Sequence, residues 1–172
     1  MNTDIFDIGA GGKKSKRKIE KLGFDPQITS EKMPHTTQSS RYGCPIACAT
    51  MILNYAGIKM SYTDLQFIFK NWRYMNGYQL KFLIESYGLK SVPVKNLDEA
   101  KLLLQEGKPV VVFVNRGTYA KGYLHWIVLR GVKGNVFAVS DPLDKNIRRM
   151  ELRTLANAIK ESNNKILFTI KI

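Results

Sequence analysis

The segment Gln38–Gly57, QSSRYGCPIACATMILNYAG, decides how this chain is read. From Cys44 onward, Ile46, Ala47, Ala49, Thr50, Met51, Leu53 and Tyr55 form a nearly all-round apolar run. Such a run argues for a helix buried in the middle of a domain. Pro45 suits the first helical turn, where a missing N–H removes no hydrogen bond, and Gly57 suits a left-handed stop. Cys44 then stands at the mouth of the helix, where unpaired amides and the macrodipole favour a thiolate. Cys48, one turn deeper, reads as a small apolar core side chain. On neighbouring turns of one face the two cysteines are badly placed to bridge each other, so no disulfide is expected.

Downstream, the pattern predicts amphipathic helices from Tyr62 to Asn71 behind a Ser61/Asp64 cap, from Tyr78 to Tyr87 closed by Gly88, and from Asp98 to Gln105 closed by Gly107. The period then changes. Pro109 to Asn115, His125 to Gly131 and Val136 to Asp141 are β-branched and apolar, and the last two are joined by a Lys133-Gly134-Asn135 turn, which predicts antiparallel strands. A helix from Thr154 to Glu161 and a strand from Ile166 to Ile170 complete the chain. Helices first and sheet second indicate an α+β domain, an N-terminal helical half packed on a C-terminal antiparallel sheet.

Upstream, residues 1–33 carry Gly9, Gly11 and Gly12, then Lys13, Lys14, Lys16, Arg17, Lys18 and Lys21, with no sustained apolar face. This stretch reads as a basic, flexible leader or linker, with a helical turn or two near Ile19 to Leu22, ahead of one folded domain over residues 34–172. The chain has 172 residues, 44% of them hydrophobic, which suffices for one real core. No run approaches the roughly 18 to 20 apolar residues that span a bilayer, and the start lacks a hydrophobic signal core, so the chain is expected to be soluble. With two histidines and two cysteines, the usual ligand spacings of structural zinc are missing, and no metal or cofactor is expected. The net charge of +13 favours acidic partners: nucleic acid, an acidic protein or an anionic membrane surface.

The candidate chemistry extends outward from Cys44. A thiol nucleophile needs an imidazole to take its proton and a third group to hold that imidazole. His125 opens a rigid apolar strand, whereas His35 lies in the approach to the helix. Asp141 closes the next strand, and in an antiparallel hairpin the start of one strand lies beside the end of its partner, so His125 and Asp141 are expected to be neighbours. Gln38, six residues before Cys44, is a candidate side-chain donor to an oxyanion alongside the Cys44 backbone N–H. Each of these residues alone is ordinary; their ordered combination points to nucleophilic catalysis.

That combination resembles the bacteriocin-processing cysteine peptidases, the papain-like family that cleaves after a double glycine. The resemblance rests on Gln38–Gly57, Gly77 to Gly88, Gly107-Lys-Pro-Val-Val-Val-Phe, His125-Trp-Ile-Val-Leu-Arg-Gly and Val136 to Pro142, and covers roughly Gln38 to Ile170. It implies a papain-like α+β fold with Cys44 as nucleophile, His125 as base, Asp141 as orienting acid and Gln38 in the oxyanion hole. Pro45 stands where the family usually has glycine, and Gly43 where an acidic residue is common. A substrate carrying Gly-Gly is implied, in a narrow cleft for which Trp72, Tyr78, Tyr123 and Trp126 are candidate aromatic walls. Gly11-Gly12 before Lys13 is a candidate self-cleavage point.

The setting is expected to be the cytoplasm, whose reducing conditions keep Cys44 active. The chain also resembles papain-like toxin modules carried on larger proteins in interbacterial antagonism, delivered into a target cell and neutralised by an immunity protein. That resemblance implies a cognate inhibitor, with nucleic acid met only indirectly through a protein target bound to it. Alternatives are a leader peptidase maturing exported peptides, a deamidase or transglutaminase with the same triad, and a basic non-enzymatic module binding nucleic acid or a membrane.

Overall fold

A computed structural model describes Ile28 and residues 31–172. Among the described residues three helices come first: α1 (Cys44–Tyr55), α2 (Tyr62–Ile68) and α3 (Gly77–Glu85). Strand β1 (Lys90–Pro93) and helix α4 (Leu97–Gln105) follow, then β2 (Val110–Asn115), a 3₁₀ turn (Arg116–Thr118), β3 (Leu124–Lys133) and β4 (Val136–Ser140). Strand β5 (Arg148–Glu151), helix α5 (Leu152–Glu161) and β6 (Leu167–Lys171) close the order. The strands make one six-stranded antiparallel sheet in the order β1-β6-β2-β3-β4-β5.

Local chemistry accounts for the helix boundaries. Helix α1 ends in a Schellman arrangement, with Ile58 N–H bonded to Leu53 O at 2.9 Å and Gly57 N–H to Asn54 O at 3.0 Å. Ser61 caps α2 by accepting the Asp64 N–H at 3.1 Å, as its sequence predicts. Asn76 and Gln79 form a reciprocal capping box at the start of α3, each backbone N–H bonded to the other's side chain at 3.0 Å. The second helix is shorter than its pattern suggested, ending at Ile68.

The central strands β2 and β3 are buried on both faces, which explains their continuous apolar sequence. Val111, Trp126 and Val128 join the cluster under α1, α2 and α3, with Met51, Ile52, Leu65, Leu80 and Leu83. Val110, Val112, Val114, Ile127 and Leu129 face the opposite way, toward Ala100 and Leu104 of α4 and Leu155, Ala158 and Ile159 of α5. The expected helical half on a sheet is therefore one part of a three-layer α+β packing. Helices α4 and α5 carry narrow apolar stripes and bury them on the far face.

Two strands escaped the sequence pattern. Strands β1 and β5 are the sheet edges, and their sequences, KSVP and RRME, lack apolar alternation because a large part of each faces solvent. Arg130 is a second surprise: the β3–β4 register shifts between Leu129 and Gly131, so Arg130 occupies a bulge and turns inward. It is 2% exposed, and it donates to Ser140 Oγ at 2.9 Å, to Met33 O at 2.7 Å and to Ile28 O at 3.5 Å. Ile28 and Met33 are buried in the α1 cluster. Among the described residues no helix is long and apolar enough to cross a membrane.

Candidate active site

The structure brings Cys44, His125 and Asp141 together from three parts of the chain. Cys44 is the first residue of α1 and is half-buried, with a free thiol. Its N–H belongs to the first turn, whose amides have no partner within the helix. His125 is the second residue of β3, opposite Val114 of β2, and is buried. Asp141 follows β4 directly and is fully buried. His125 Nε2 lies 2.7 Å from Asp141 Oδ1. The Cys44 thiol is near enough to the imidazole to bias its protonation, which leaves Nδ1 as the ring nitrogen for the thiol.

The electrostatics follow from this contact. Burial works against a charged imidazole, but the hydrogen bond to Asp141 and the interaction with Cys44 outweigh it, and His125 is raised to about 9. Burial also opposes ionisation of Asp141, yet the His125 bond and charge, the Leu143 N–H and the Arg116 guanidinium hold it well below the usual carboxylate range. Cys48 is fully buried, and burial first, with Cys44 and Asp141 adding to it, pushes its thiol up well above an ordinary cysteine. Cys44 is half-buried and Cys48 fully buried.

Gln38 lies in the loop before α1. Its backbone N–H bonds Pro142 O at 2.9 Å, tying that loop to the one carrying Asp141. Its side-chain amide donates to Ser40 O at 2.7 Å and Arg41 O at 3.3 Å. The amide is therefore turned into its own loop, and its Oε1 is buried without a partner. His35 is bonded through Nε2 to Asp144 O at 2.7 Å, and burial pulls it below the ordinary imidazole value.

Gly43 sits between Tyr42 and Cys44 beneath a tyrosine. A Cβ built on it would lie 2.0 Å from the Tyr62 hydroxyl, 3.0 Å from Ser40 Oγ and 3.1 Å from Gln38 Cβ. Tyr62, from the first turn of α2, thus fills the space that a side chain before the nucleophile would need. Tyr42 stacks on Tyr74 with centroids 4.1 Å apart, and the two hydroxyls are 2.7 Å apart.

The four aromatic candidates divide. Tyr78 is 87% exposed in the first turn of α3, and Tyr123, 82% exposed, lies two residues before His125. Trp72 is half-buried against Phe69 and Phe82, at 5.1 and 5.8 Å. Trp126 is 2% exposed between Phe113 and Phe168 with its indole N–H bonded to Met75 O, so it is a core residue and presents no wall. Gly11 and Gly12 lie outside the described residues. Among the described residues no cluster of three or more His, Cys, Asp or Glu side chains is arranged to hold a metal ion.

Sequence reasoning missed the support behind Asp141. Arg116 and Tyr119, on the turn after β2, both bond its Oδ2, at 2.8 and 2.9 Å. The signal was available in the hairpin pattern. If His125 starts β3, the end of β2 must lie beside it, as the pairing Asn115↔Leu124 shows.

A thiol at the start of a buried helix, beside an imidazole and a carboxylate on an α+β scaffold, is the arrangement of a papain-like cysteine peptidase. The model for the Peptidase_C39 like family matches residues 30–166, and the chain belongs to that family. A putative C39-like peptidase from Bacillus anthracis superposes with a TM-score of 0.64 at 16% identity, over 83% of this chain and 96% of that one. A double glycine motif protease from an AMS/PCAT transporter, solved with a leader peptide, gives 0.56 at 19%, over 82% and 94%. The peptidase domain of Streptococcus ComA, a bifunctional ABC transporter, gives 0.57 at 17%, over 81% and 96%. Comparison with curated proteins finds no match.

Proposed function

We propose that this cysteine peptidase cleaves peptide bonds after a Gly-Gly pair, with Cys44 as nucleophile, His125 as base and acid, and Asp141 as the group that orients the imidazole. The reading is carried by one observation: the Cys44 thiol stands beside an imidazole whose far nitrogen is 2.7 Å from a buried carboxylate. Asp141 keeps the Nε2 proton in place, so Nδ1 accepts the thiol proton. The thiolate attacks the scissile carbonyl, and the oxyanion forms at the start of α1, where the Cys44 N–H points at it. Gln38 supplies the second donor once its amide turns away from Ser40 O and Arg41 O. The imidazolium then protonates the leaving amine, and water releases the acyl product by the reverse path.

Family membership and the double-glycine protease among the related structures support the Gly-Gly preference. The test is to incubate wild type and Cys44→Ala with peptides that differ only in Gly-Gly, Gly-Ala, Ala-Gly or Ala-Ala before the scissile bond, and to read the products by mass. Cleavage confined to Gly-Gly, and absent in Cys44→Ala, is expected. Equal cleavage of Ala-Ala sinks the specificity. An intact glutamine peptide about one dalton heavier, the change from amide to acid, points to a deamidase instead.

A further inference from the structure

Asp141 accepts four hydrogen bonds, two on each oxygen. Oδ1 takes the His125 Nε2–H at 2.7 Å and the Leu143 N–H at 2.9 Å. Oδ2 takes Arg116 Nε–H at 2.8 Å and the Tyr119 hydroxyl at 2.9 Å. One edge of the carboxylate thus faces the imidazole and the other the Arg116 guanidinium.

The guanidinium is itself held on all sides. Arg116 is 7% exposed; its Nη1 donates to Lys121 O, and its Nη2 to Asp144 Oδ1 at 2.8 Å. Asp144 is gripped in turn by Arg148, at 2.7 and 3.0 Å. The chain from residue 116 to 123 folds around this one side chain. Arg116 N–H bonds Tyr123 O at 2.8 Å, and Gly122, at φ +147°, passes so close that a Cβ there would lie 3.3 Å from Arg116 Cδ. Tyr119 lies under both arginines, with its ring centroid 5.9 Å from Arg116 and 5.3 Å from Arg148.

A turn built in this detail around a cation, two residues past the strand position opposite His125, has a consequence for the chemistry. We propose that Arg116, assisted by Tyr119, is a positioning residue of the catalytic centre: it locks Asp141 in one orientation and offsets part of its charge, so that the carboxylate orients His125 without over-stabilising the imidazolium. This deepens the peptidase reading and rests on its assignment of Cys44, His125 and Asp141. With a bare carboxylate behind it, an imidazolium would hold its proton too tightly to deliver it to a leaving amine near neutral pH. Arg116 reduces that hold and also keeps Asp141 from taking the proton itself.

Other titratable groups lie near the same centre: Cys48 in α1, His35 in the approach loop, and Asp144 with Arg148 beyond Asp141. None of these touches the Asp141 carboxylate, whereas Arg116 and Tyr119 do.

The test uses the full chain and two readouts independent of peptide cleavage: the NMR titration of the His125 ring, and the pH dependence of Cys44 alkylation by iodoacetamide. Removing a cation raises the pKa of every nearby group, so Arg116→Met is expected to move the His125 titration and the acid limb of alkylation upward together, by about 0.5–1 pH unit. Arg116→Lys keeps the charge but loses the fork, so it should restore both midpoints while peptide cleavage stays several-fold below wild type. Should Arg116→Met lose its fold by circular dichroism, Arg116→Gln, a neutral donor, is read in the same way. Unmoved or lowered midpoints in a folded neutral variant overturn the inference and leave the triad standing. If His125→Ala fails to alter Cys44 alkylation in the first place, the triad reading and this inference fall together.

Discussion

His125 Nε2 and Asp141 Oδ1 lie 2.7 Å apart, joining residues from the start of β3 and the end of β4. The contact bridges sixteen positions of sequence by way of a hairpin whose last ladder pair is Val128↔Ser140. It makes Asp141 the hinge of the site, because the same carboxylate is shared with a buried arginine.

Asp141→Asn keeps the shape but removes the charge. The imidazole loses its fixed tautomer, and peptide cleavage is expected to fall by roughly 10⁴-fold, as when a triad acid is neutralised in place. Arg116 loses one of its two carboxylate partners and keeps Asp144, so the stability cost is expected to stay below the about 3–5 kcal/mol of a buried charge left with no partner. Steady-state kinetics and a thermal melt read the two effects separately. Near-wild-type values in both would remove Asp141 from the site.

The pH profile has a defined alkaline limb. His125 is raised above its ordinary value to about 9, so its protonated form persists below that point and is lost as pH rises through it. Stability from the imidazolium contacts is fully present below the ordinary imidazole pKa of about 6.5 and fades toward 9. Asp141 has the opposite sign: its contribution is present above the ordinary carboxylate range and is lost only in strong acid. Hence kcat/KM is expected to decline with a midpoint near 9; a decline centred near 6.5 would mean that Asp141 does not hold the imidazolium.

Gly43 and Tyr62 are coupled by contact. A Cβ at residue 43 overlaps the Tyr62 hydroxyl and crowds Gln38 Cβ, so Gly43→Ala must push aside the Tyr62 ring or the loop carrying Gln38, at a cost of about 1–3 kcal/mol and with reduced cleavage. Tyr62→Phe removes the overlapping atom. The double variant is expected to recover part of the loss, and a double-mutant cycle in melting and kcat/KM measures the coupling. Strict additivity would show that the two sites do not press on each other.

The two thiols should differ in reactivity. Iodoacetamide at neutral pH is expected to label one cysteine of the native chain, Cys44, while Cys48 reacts only after denaturation, because it is fully buried with its thiol pushed up. Peptide mapping of the labelled chain decides it. Labelling of Cys48 at a comparable rate would contradict the packing of α1.

Much of this is legible in the sequence. The apolar run from Ile46 to Tyr55 with Pro45 and Gly57 at its ends could only be a buried helix, because periodicity and capping are local properties of the chain. The pairing of His125 with Asp141 followed from strand order and the turn near Gly134, since antiparallel hairpins bring such ends together. The family resemblance placed the chemistry on the same residues.

The tertiary structure alone decided the rest. Strands β1 and β5 exist because a neighbour supplies their hydrogen bonds, and nothing in KSVP or RRME announces it. Arg116 against Asp141, Tyr62 over Gly43, and the Gln38 amide turned toward Ser40 join segments 25, 19 and 2 residues apart, through side-chain directions that sequence spacing leaves open. Local pattern fixes which stretch becomes helix or strand; which polar group meets which is settled only when the layers pack and each buried donor and acceptor must find a partner.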